Sequence, residues 1–395
     1  MVGLGYIGLP TAALIAGNGI PVTGVDVNQA TVDTINQGKI HIVEPDLDGL
    51  VYKVVEEKLL TASTKTVAAD VFLIAVPTPF KEDHQPDLKY VSSAINNIIP
   101  VLQEGNLVII ESTSPVGTTE QMLEEILNAR PELDGKIHMA YCPERVLPGN
   151  ILHELKVNDR AIGGINEAST DAAVSFYKHF VTGELHRTNS RTAEMCKLTE
   201  NASRDSQIAF ANELSMICDE AGINVWELIR LANKHPRVNI LQPGTGVGGH
   251  CIAVDPWFVI SQFPEQAKMM RASRDINNYK TEWAIEKTRA AALRWELDHG
   301  KKPTIAAMGL AFKPNIDDLR ESPARYVADT LIQDGHKVLA VEPNLEQHDS
   351  YQLNDHKSAM QDADIIVYLV AHSEFKSNKA SDDKVILDFC NVMEA

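Results

Sequence analysis

Gly3-Leu4-Gly5-Tyr6-Ile7-Gly8, followed by Val22-Thr23-Gly24-Val25-Asp26, is the stretch that decides the fold. Glycines spaced G-x-G-x-x-G permit a tight turn, a close approach of backbone to ligand and close helix–strand packing. An apolar helical pattern through Leu14, Ile15 and Ala16 follows, and a short apolar run then ends in an acid eighteen residues after Gly8. In a dinucleotide-binding fold the helix N-terminus takes the pyrophosphate and the acid takes the ribose diol. Gly3, Gly5, Tyr6, Ile7, Gly8 and Asp26 are therefore the expected cofactor-binding set. A carboxylate at that place repels a 2′-phosphate, so NAD is expected over NADP. Only Met1 and Val2 precede the motif. Either the natural chain begins upstream of Met1, or the sheet is weakened at its middle.

Further apolar strands are expected at 70–76, 107–113, 137–142 and 160–164. Strands alternating with helical patterns indicate a parallel, doubly wound sheet. Ligands of such sheets sit beyond the carboxyl ends of the strands. Thr78, Thr113, Glu144 and Arg145 fall there. Each also reads as an ordinary turn or cap residue, Thr78 between two prolines above all.

From Arg191 the period becomes helical and stays so, with one break, to about Leu297. Lys197, Asn201 and Arg204 share one helix face at i, i+4 and i+7. A solvated face with Glu194 and Glu200 as ion-pair partners is one reading. Leu198, Ile208, Phe210, Leu214 and Ile217 favour a mostly buried helix instead, in which such cations need a ligand. A second amphipathic helix is expected at 223–234, broken by His235-Pro236-Arg237.

That break leads into Pro243-Gly244-Thr245-Gly246-Val247-Gly248-Gly249-His250-Cys251, with Asp255 four residues on. A loop this rich in glycine can present a thiol with backbone N–H groups around it. A flexible loop beside a packed cysteine is the alternative. A new α/β pattern starts at 304–310, and strands are expected at 337–341, 364–370 and 384–389. Its first loop carries Phe312, Lys313 and Arg320. The fold class expected is α/β, with two doubly wound nucleotide-binding-like domains joined by a central, mostly helical domain. The boundaries expected are 1–188, 189–299 and 300–395.

The 54 acidic and 36 basic side chains give a formal net charge of −18. Such a surface repels nucleic acid and anionic membranes, so neither is an expected partner. An anionic ligand then needs a local cradle of cations. No apolar run approaches the ~20 residues of a membrane span. The chain opens without a charged leader, so no signal peptide is expected. Five cysteines without a C-x-x-C pair suit a reducing cytoplasm and neither disulfides nor a metal site.

Taken together the motifs resemble the nucleotide-sugar 6-dehydrogenase family of UDP-glucose and GDP-mannose dehydrogenases. The resemblance rests on Gly3 to Gly8 with Asp26, Ala75-Val76-Pro77-Thr78-Pro79, Ser112-Thr113-Ser114-Pro115 and Pro143-Glu144-Arg145. It continues through Glu194 to Asn201, Gly248-Gly249-His250-Cys251 with Asp255-Pro256, Gly309-Leu310-Ala311-Phe312-Lys313 and Arg320-Glu321-Ser322. These pieces stand in the family's order over nearly the whole chain.

The resemblance implies oxidation of a primary alcohol to a carboxylate with two NAD⁺, through a thiohemiacetal and a thioester on Cys251. It implies Lys197 and Asn201 as oxyanion donors, with Lys197 also a proton carrier if burial lowers its pKa. Asp255 orients or activates water, and Thr113 and Glu144 line the same cleft. Arg145, Val146, Arg204, His235, Arg237, Gly248, Phe312 and Lys313 hold the UDP-sugar, Arg237 reaching in from a neighbouring subunit. Thr78 and Arg320 touch NAD. The wording of 191–201, 235–244 and 40–46 is nearest members acting on UDP-N-acetyl-D-mannosamine, with UDP-glucose or UDP-N-acetylglucosamine as the alternative. The product would feed bacterial surface polysaccharide. A homodimer or higher homo-oligomer is implied; Ile208, Leu214 and Ile217 suit such an interface and equally an intrachain core. The family's basic residue in Asp-x-(Arg/Lys) is missing here, where the run is Asp388-Phe389-Cys390-Asn391. Weaker substrate binding follows unless a cation comes from elsewhere.

Overall fold

The structure is a computed structural model, described for residues 1–81, 84–146, 149–376, 381 and 383–393. Positions 147 and 148 of the 143–149 loop lie outside the described residues. The chain divides into two compact units, Met1–Glu200 and Asn201–Ala395.

The first unit opens with α1 (Gly8–Gly17), β1 (Val22–Val25), α2 (Gln29–Asn36), α3 (Leu47–Glu56), β2 (Leu60–Ser63) and β3 (Val71–Ile74). It continues with α4 (Lys89–Ile98), β4 (Leu107–Ile110), α5 (Thr118–Ala129), β5 (His138–Tyr141), α6 (Ile151–Val157), β6 (Arg160–Gly164), α7 (Glu167–Tyr177) and β7 (Leu185–Asn189). Strand order is β3-β4-β5-β6-β7, with β1-β2 as a separate parallel pair. Val2 joins the two, bridging Val25 on one side and Ile74 on the other. Its N–H donates to Leu73 O at 2.8 Å, its carbonyl accepts from Ala75 N at 2.8 Å, and Gly3 N donates to Val25 O at 2.8 Å.

Met1 also bonds to β1, its carbonyl accepting from Val25 N at 2.7 Å, and a cavity of about 560 Å³ lies beside this segment, lined by Ile15, Val22, Thr23, Val71, Leu73 and Phe176. The short apolar strands are buried on both faces, as parallel sheets require. Phe72 and Ile74 pack into one core layer and Leu73 into the other. Not every pairing is parallel. β6 runs antiparallel to β5, through Ala140↔Gly164 and Tyr141↔Gly163.

The helix α8 (Ser190–Ala221) runs across the division between the units. The second unit adds α9 (Val225–Ala232), α10 (Asp255–Gln262), α11 (Lys268–His299), β8 (Thr304–Met308), α12 (Pro323–Gln333), β9 (Lys337–Val341), α13 (His356–Asp362), β10 (Ile365–Tyr368) and β11 (Val385–Asp388). Its four strands form an all-parallel sheet in the order β11-β10-β8-β9. Two of these helices, α9 and α12, start at side-chain caps: Asn224 accepts from Trp226 N and Glu227 N, and Ser322, with Pro323 following, accepts from Arg325 N.

The expectation that α8 is mostly buried fails. Leu198 is buried, but Phe210 and Ile217 are 55% and 57% exposed. Thirty-two residues of helix need cover only one stripe to be held. Among the described residues no helix is long and apolar enough to cross a membrane.

Candidate active site

In the first unit the glycine turn is built by contacts that leave no room for a Cβ. At Gly3, with φ +89°, a Cβ would lie 2.3 Å from Ala75 O; at Gly8 it would lie 1.9 Å from Gly3 O. At Gly5 it would meet nothing within 4 Å, so the turn is open there. Ile7 caps α1 without a side-chain hydrogen bond, and the start of the helix is closed by the turn's own backbone, Leu9 N donating to Gly5 O and Thr11 N to Ile7 O, each at 3.1 Å. Asp26 is held at the mouth of the turn, accepting from Leu4 N at 3.0 Å and Asn28 N at 2.9 Å. Tyr6 is half exposed on the rim, beside Ile7. This cradle fits a dinucleotide.

Thr78 and Thr113 are half-buried in the loops after β3 and β4. Ser112 ties those loops together: its hydroxyl donates to Val76 O at 2.8 Å and accepts from Val76 N at 2.9 Å. Glu194 and Glu200 are not the partners of the Lys197 face that the solvated reading assigns. Glu194 is fully buried and accepts from Gly117 N (2.6 Å), Thr119 N (2.8 Å) and Thr119 Oγ1 (2.6 Å). It thereby fixes the start of α8, and so the register of half-buried Lys197, to the N-terminus of α5. Glu200 pairs with Arg145 at 2.7 Å.

Glu144 accepts from Arg145 N at 2.7 Å and pairs with buried Arg160 at 2.9 Å. Arg160 also donates to Leu155 O at 2.9 Å and lies over the Tyr177 ring. The Tyr177 hydroxyl donates to Glu111 at 2.6 Å, and burial pushes that carboxyl up to about 7. Val146 is half-buried at the end of this run. Glu44, which the sequence did not single out, accepts from Gly149 N at 2.8 Å and Ile151 N at 2.7 Å. It anchors the loop that carries Glu144 to Val146.

In the second unit Cys251 is the exposed thiol of the five cysteines; Cys142 and Cys218 are buried and Cys196 and Cys390 half-buried. Its carbonyl accepts from Val254 N at 3.1 Å and Asp255 N at 2.8 Å, a turn that launches α10. Asp255 is buried and accepts from Asn201 Nδ2 at 2.6 Å. Gly248 and Gly249 pack directly on the Phe312 loop. A Cβ on Gly249 would lie 2.8 Å from the Phe312 ring, and Gly249 N donates to Arg320 O at 3.2 Å. Arg320 pairs with Asp318 at 2.6 Å. Cys251, Asp255, Asn201, Gly248, Phe312 and Arg320 thus belong to one connected structure.

A cavity of about 360 Å³ lies alongside, and Lys313, Lys376, Cys390 and Asn391 are among its lining residues. Lys376 is a second cation there that sequence reasoning missed; it sits in an unremarkable polar stretch. Arg204, His235 and Arg237 are exposed and do not line this cavity.

Residues 1–181, 191–279 and 306–395 match, in turn, the NAD binding, central and UDP binding domains of one family. A UDP-N-acetyl-D-mannosamine dehydrogenase of Yersinia pestis is 56% identical over 402 residues, covering 97% of this chain and 96% of its own. The chain belongs to the UDP-glucose/GDP-mannose dehydrogenase family. An NDP-N-acetyl-D-galactosaminuronic acid dehydrogenase of Ralstonia nicotianae is 53% identical, over 95% of this chain and 91% of its own. The structure of a UDP-D-ManNAc dehydrogenase from Pyrococcus horikoshii has a TM-score of 0.88 at 38% identity, covering 100% of this chain and 95% of that one. As a member of this family the protein is an NAD-dependent nucleotide-sugar dehydrogenase. The glycine cradle with Asp26 lies within residues 1–181, the region that matches the family's NAD binding domain.

Proposed function

We propose that this dehydrogenase oxidises the C6 alcohol of UDP-N-acetyl-D-mannosamine to the carboxylate through a thioester on Cys251. The observation that carries the reading is an exposed thiol at the end of a glycine loop, with the carbonyl of Cys251 bonded to the N–H of Asp255, whose carboxylate holds Asn201. Gly3, Gly5, Tyr6, Ile7, Gly8 and Asp26, with Thr78, Thr113 and Arg320, would hold NAD⁺, which would supply the hydride acceptor for two oxidations. The first gives the C6 aldehyde. The Cys251 thiolate adds to its carbonyl carbon, and the thiohemiacetal loses a hydride and a proton to become the thioester. Water then attacks the thioester, the C–S bond breaks, and the carboxylate leaves with the thiol restored.

Lys197 and Asn201 donate to the oxyanion that develops at C6. Asp255 orients the attacking water and accepts its proton. Glu144, paired with Arg160, and Thr113 complete the set. Arg145, Val146, Arg204, His235, Arg237, Gly248, Phe312 and Lys313 hold the UDP-sugar, with Arg237 supplied by a second copy of the chain. Lys376 adds the cation that Cys390 does not. The regions concerned are 1–188 for NAD, 189–299 for the thiol and helix face, and 300–395 for UDP, which the three family matches support.

The names of the Yersinia pestis and Pyrococcus horikoshii relatives support the choice of sugar. The uronate product serves bacterial surface polysaccharide synthesis in the cytoplasm. Exposed Phe210 and Ile217 on α8 support a homodimer. The test is the purified protein assayed against UDP-N-acetyl-D-mannosamine, UDP-N-acetylglucosamine and UDP-glucose. Highest kcat/KM is expected for the first; preference for UDP-glucose overturns the reading.

A further inference from the structure

The two units contain the same turn used in two ways. In the first, Gly3 donates its N–H to Val25 O, the acid Asp26 follows, and Gly3 crowds Ala75 beyond the third strand. In the second, Gly309, with φ +94°, donates to Val341 O at 2.9 Å, the acid Glu342 follows, and Gly309 crowds Val370, a Cβ there lying 2.5 Å from Val370 Cβ. Glu342 thus occupies the place of the acid that takes a ribose diol in a dinucleotide fold.

The two carboxylates have different surroundings. Asp26 is half-buried. Glu342 is buried and surrounded by protein donors: Leu310 N at 2.8 Å, Ala311 N at 2.9 Å, Asn344 N and Nδ2 at 3.1 Å, and His372 Nε2 at 3.0 Å. A carboxylate has about four lone-pair sites, so none remains for a ribose hydroxyl. His372 is fully buried and enters two residues past Val370, the position held by Pro77 after Ala75 in the first unit. Its Nδ1 accepts from Asn315 N at 3.0 Å, which fixes Nε2 as the donor to Glu342. The donors that Glu342 and His372 collect flank Phe312 and Lys313 on both sides: Leu310 and Ala311 before, Asn315 after.

We infer that Glu342 and His372 are positioning residues for the nucleotide-sugar. In this unit the ribose-binding acid of a dinucleotide fold has become a clamp that sets the 310–315 loop, and with it Phe312 and Lys313, against the glycine loop. His372 and the two loop amides hold the carboxyl of Glu342 low, at about 2, so the clamp stays charged across the working pH range. The clamp rests on the proposed function only for the identity of what Lys313 holds.

The test is Glu342→Gln and His372→Gln in the full-length protein, each read in two ways. Backbone hydrogen exchange at Leu310 and Ala311 should accelerate at least about tenfold in Glu342→Gln, because a charge-assisted acceptor is lost. KM for the UDP-sugar should rise about tenfold or more in both variants, while kcat and KM for NAD stay within about twofold. Glu342→Asp, which keeps the charge, should recover part of the loss. Unchanged exchange and unchanged KM in folded variants overturn the inference, as does a loss confined to kcat. If Glu342→Gln does not fold, His372→Gln carries the KM readout together with faster exchange at Asn315, whose N–H donates to His372 Nδ1. Faster exchange without any UDP-sugar turnover in the wild type upholds the clamp and refutes the substrate assignment, so the two failures are distinguishable.

Discussion

Gly248→Ala is the perturbation that tests most sharply how Cys251 is placed. A Cβ at this position would stand 2.3 Å from Glu321 O, 2.7 Å from Pro323 Cδ and 2.9 Å from Phe312 Cβ. The nearest of these is backbone, so no rotamer change relieves the contact. Either the glycine loop or the 311–322 loop must retreat by about 0.7 Å to reach even a tight 3.0 Å separation. The thiol is three residues further on. Displacements approaching 1 Å in a reacting group cost about a hundredfold in rate, so kcat should fall by roughly ten- to a hundredfold. Overpacking costs about 1–3 kcal/mol, or about 2–12 °C in Tm for a unit of this size.

Gly244→Ala is the internal control, since its Cβ would meet nothing nearer than Gly246 O at 3.9 Å. It should leave kcat and Tm unchanged. The assay is NADH formation from UDP-N-acetyl-D-mannosamine beside thermal denaturation of all three proteins. A Gly248→Ala protein with wild-type kcat and Tm would refute the packing argument. Equal damage from both variants would refute it too, because general loop stiffness would then be the cause.

Glu194→Ala strands Gly117 N, Thr119 N and the Thr119 hydroxyl in a buried site; a loss of about 3–5 kcal/mol by urea denaturation is expected, and a loss under 1 kcal/mol contradicts it. The Glu111 carboxyl rises from 4.5 to about 7 on folding, so its contribution to stability is complete below pH 4.5 and is lost as pH rises through 7. Relative to Glu111→Gln, which keeps a partner for Tyr177, the wild type should lose about 3 kcal/mol between those limits; a difference that does not change with pH contradicts the assignment. Lys376→Ala should raise KM for the UDP-sugar about tenfold by removing a cation from the cavity shared with Lys313, and Cys390→Arg in that background should restore it. If Cys390→Arg changes KM in neither background, the cation missing at this strand end is irrelevant.

Much of the fold is legible in the sequence because parallel strands are buried on both faces. Val71–Ile74, Leu107–Ile110 and Lys337–Val341 appear as apolar runs bounded by turn residues. Leu60–Ser63 and Leu185–Asn189 do not, since their side chains alternate or stay exposed at the margins of the sheet. The antiparallel β5–β6 pairing leaves no mark in composition. Motif residues such as Cys251, Asp255 and Gly248 are legible because their spacing is itself the chemistry. Glu44, Glu194, Glu342 and His372 are not, because each acts on backbone N–H groups far away in sequence, and a lone acid or histidine carries no periodic signal. The burial expected of α8 failed at Phe210 and Ile217 for a related reason: periodicity identifies an apolar stripe but not what covers it.

The central claim is the four-electron route through Cys251. The most direct test counts NADH formed per UDP-N-acetyl-D-mannosamine consumed, under limiting sugar, in the wild type and in Cys251→Ser. Two NADH per sugar with a uronate product in the wild type, and loss of the second oxidation in the variant, are the results predicted. One NADH per sugar, or two in both proteins, would contradict it.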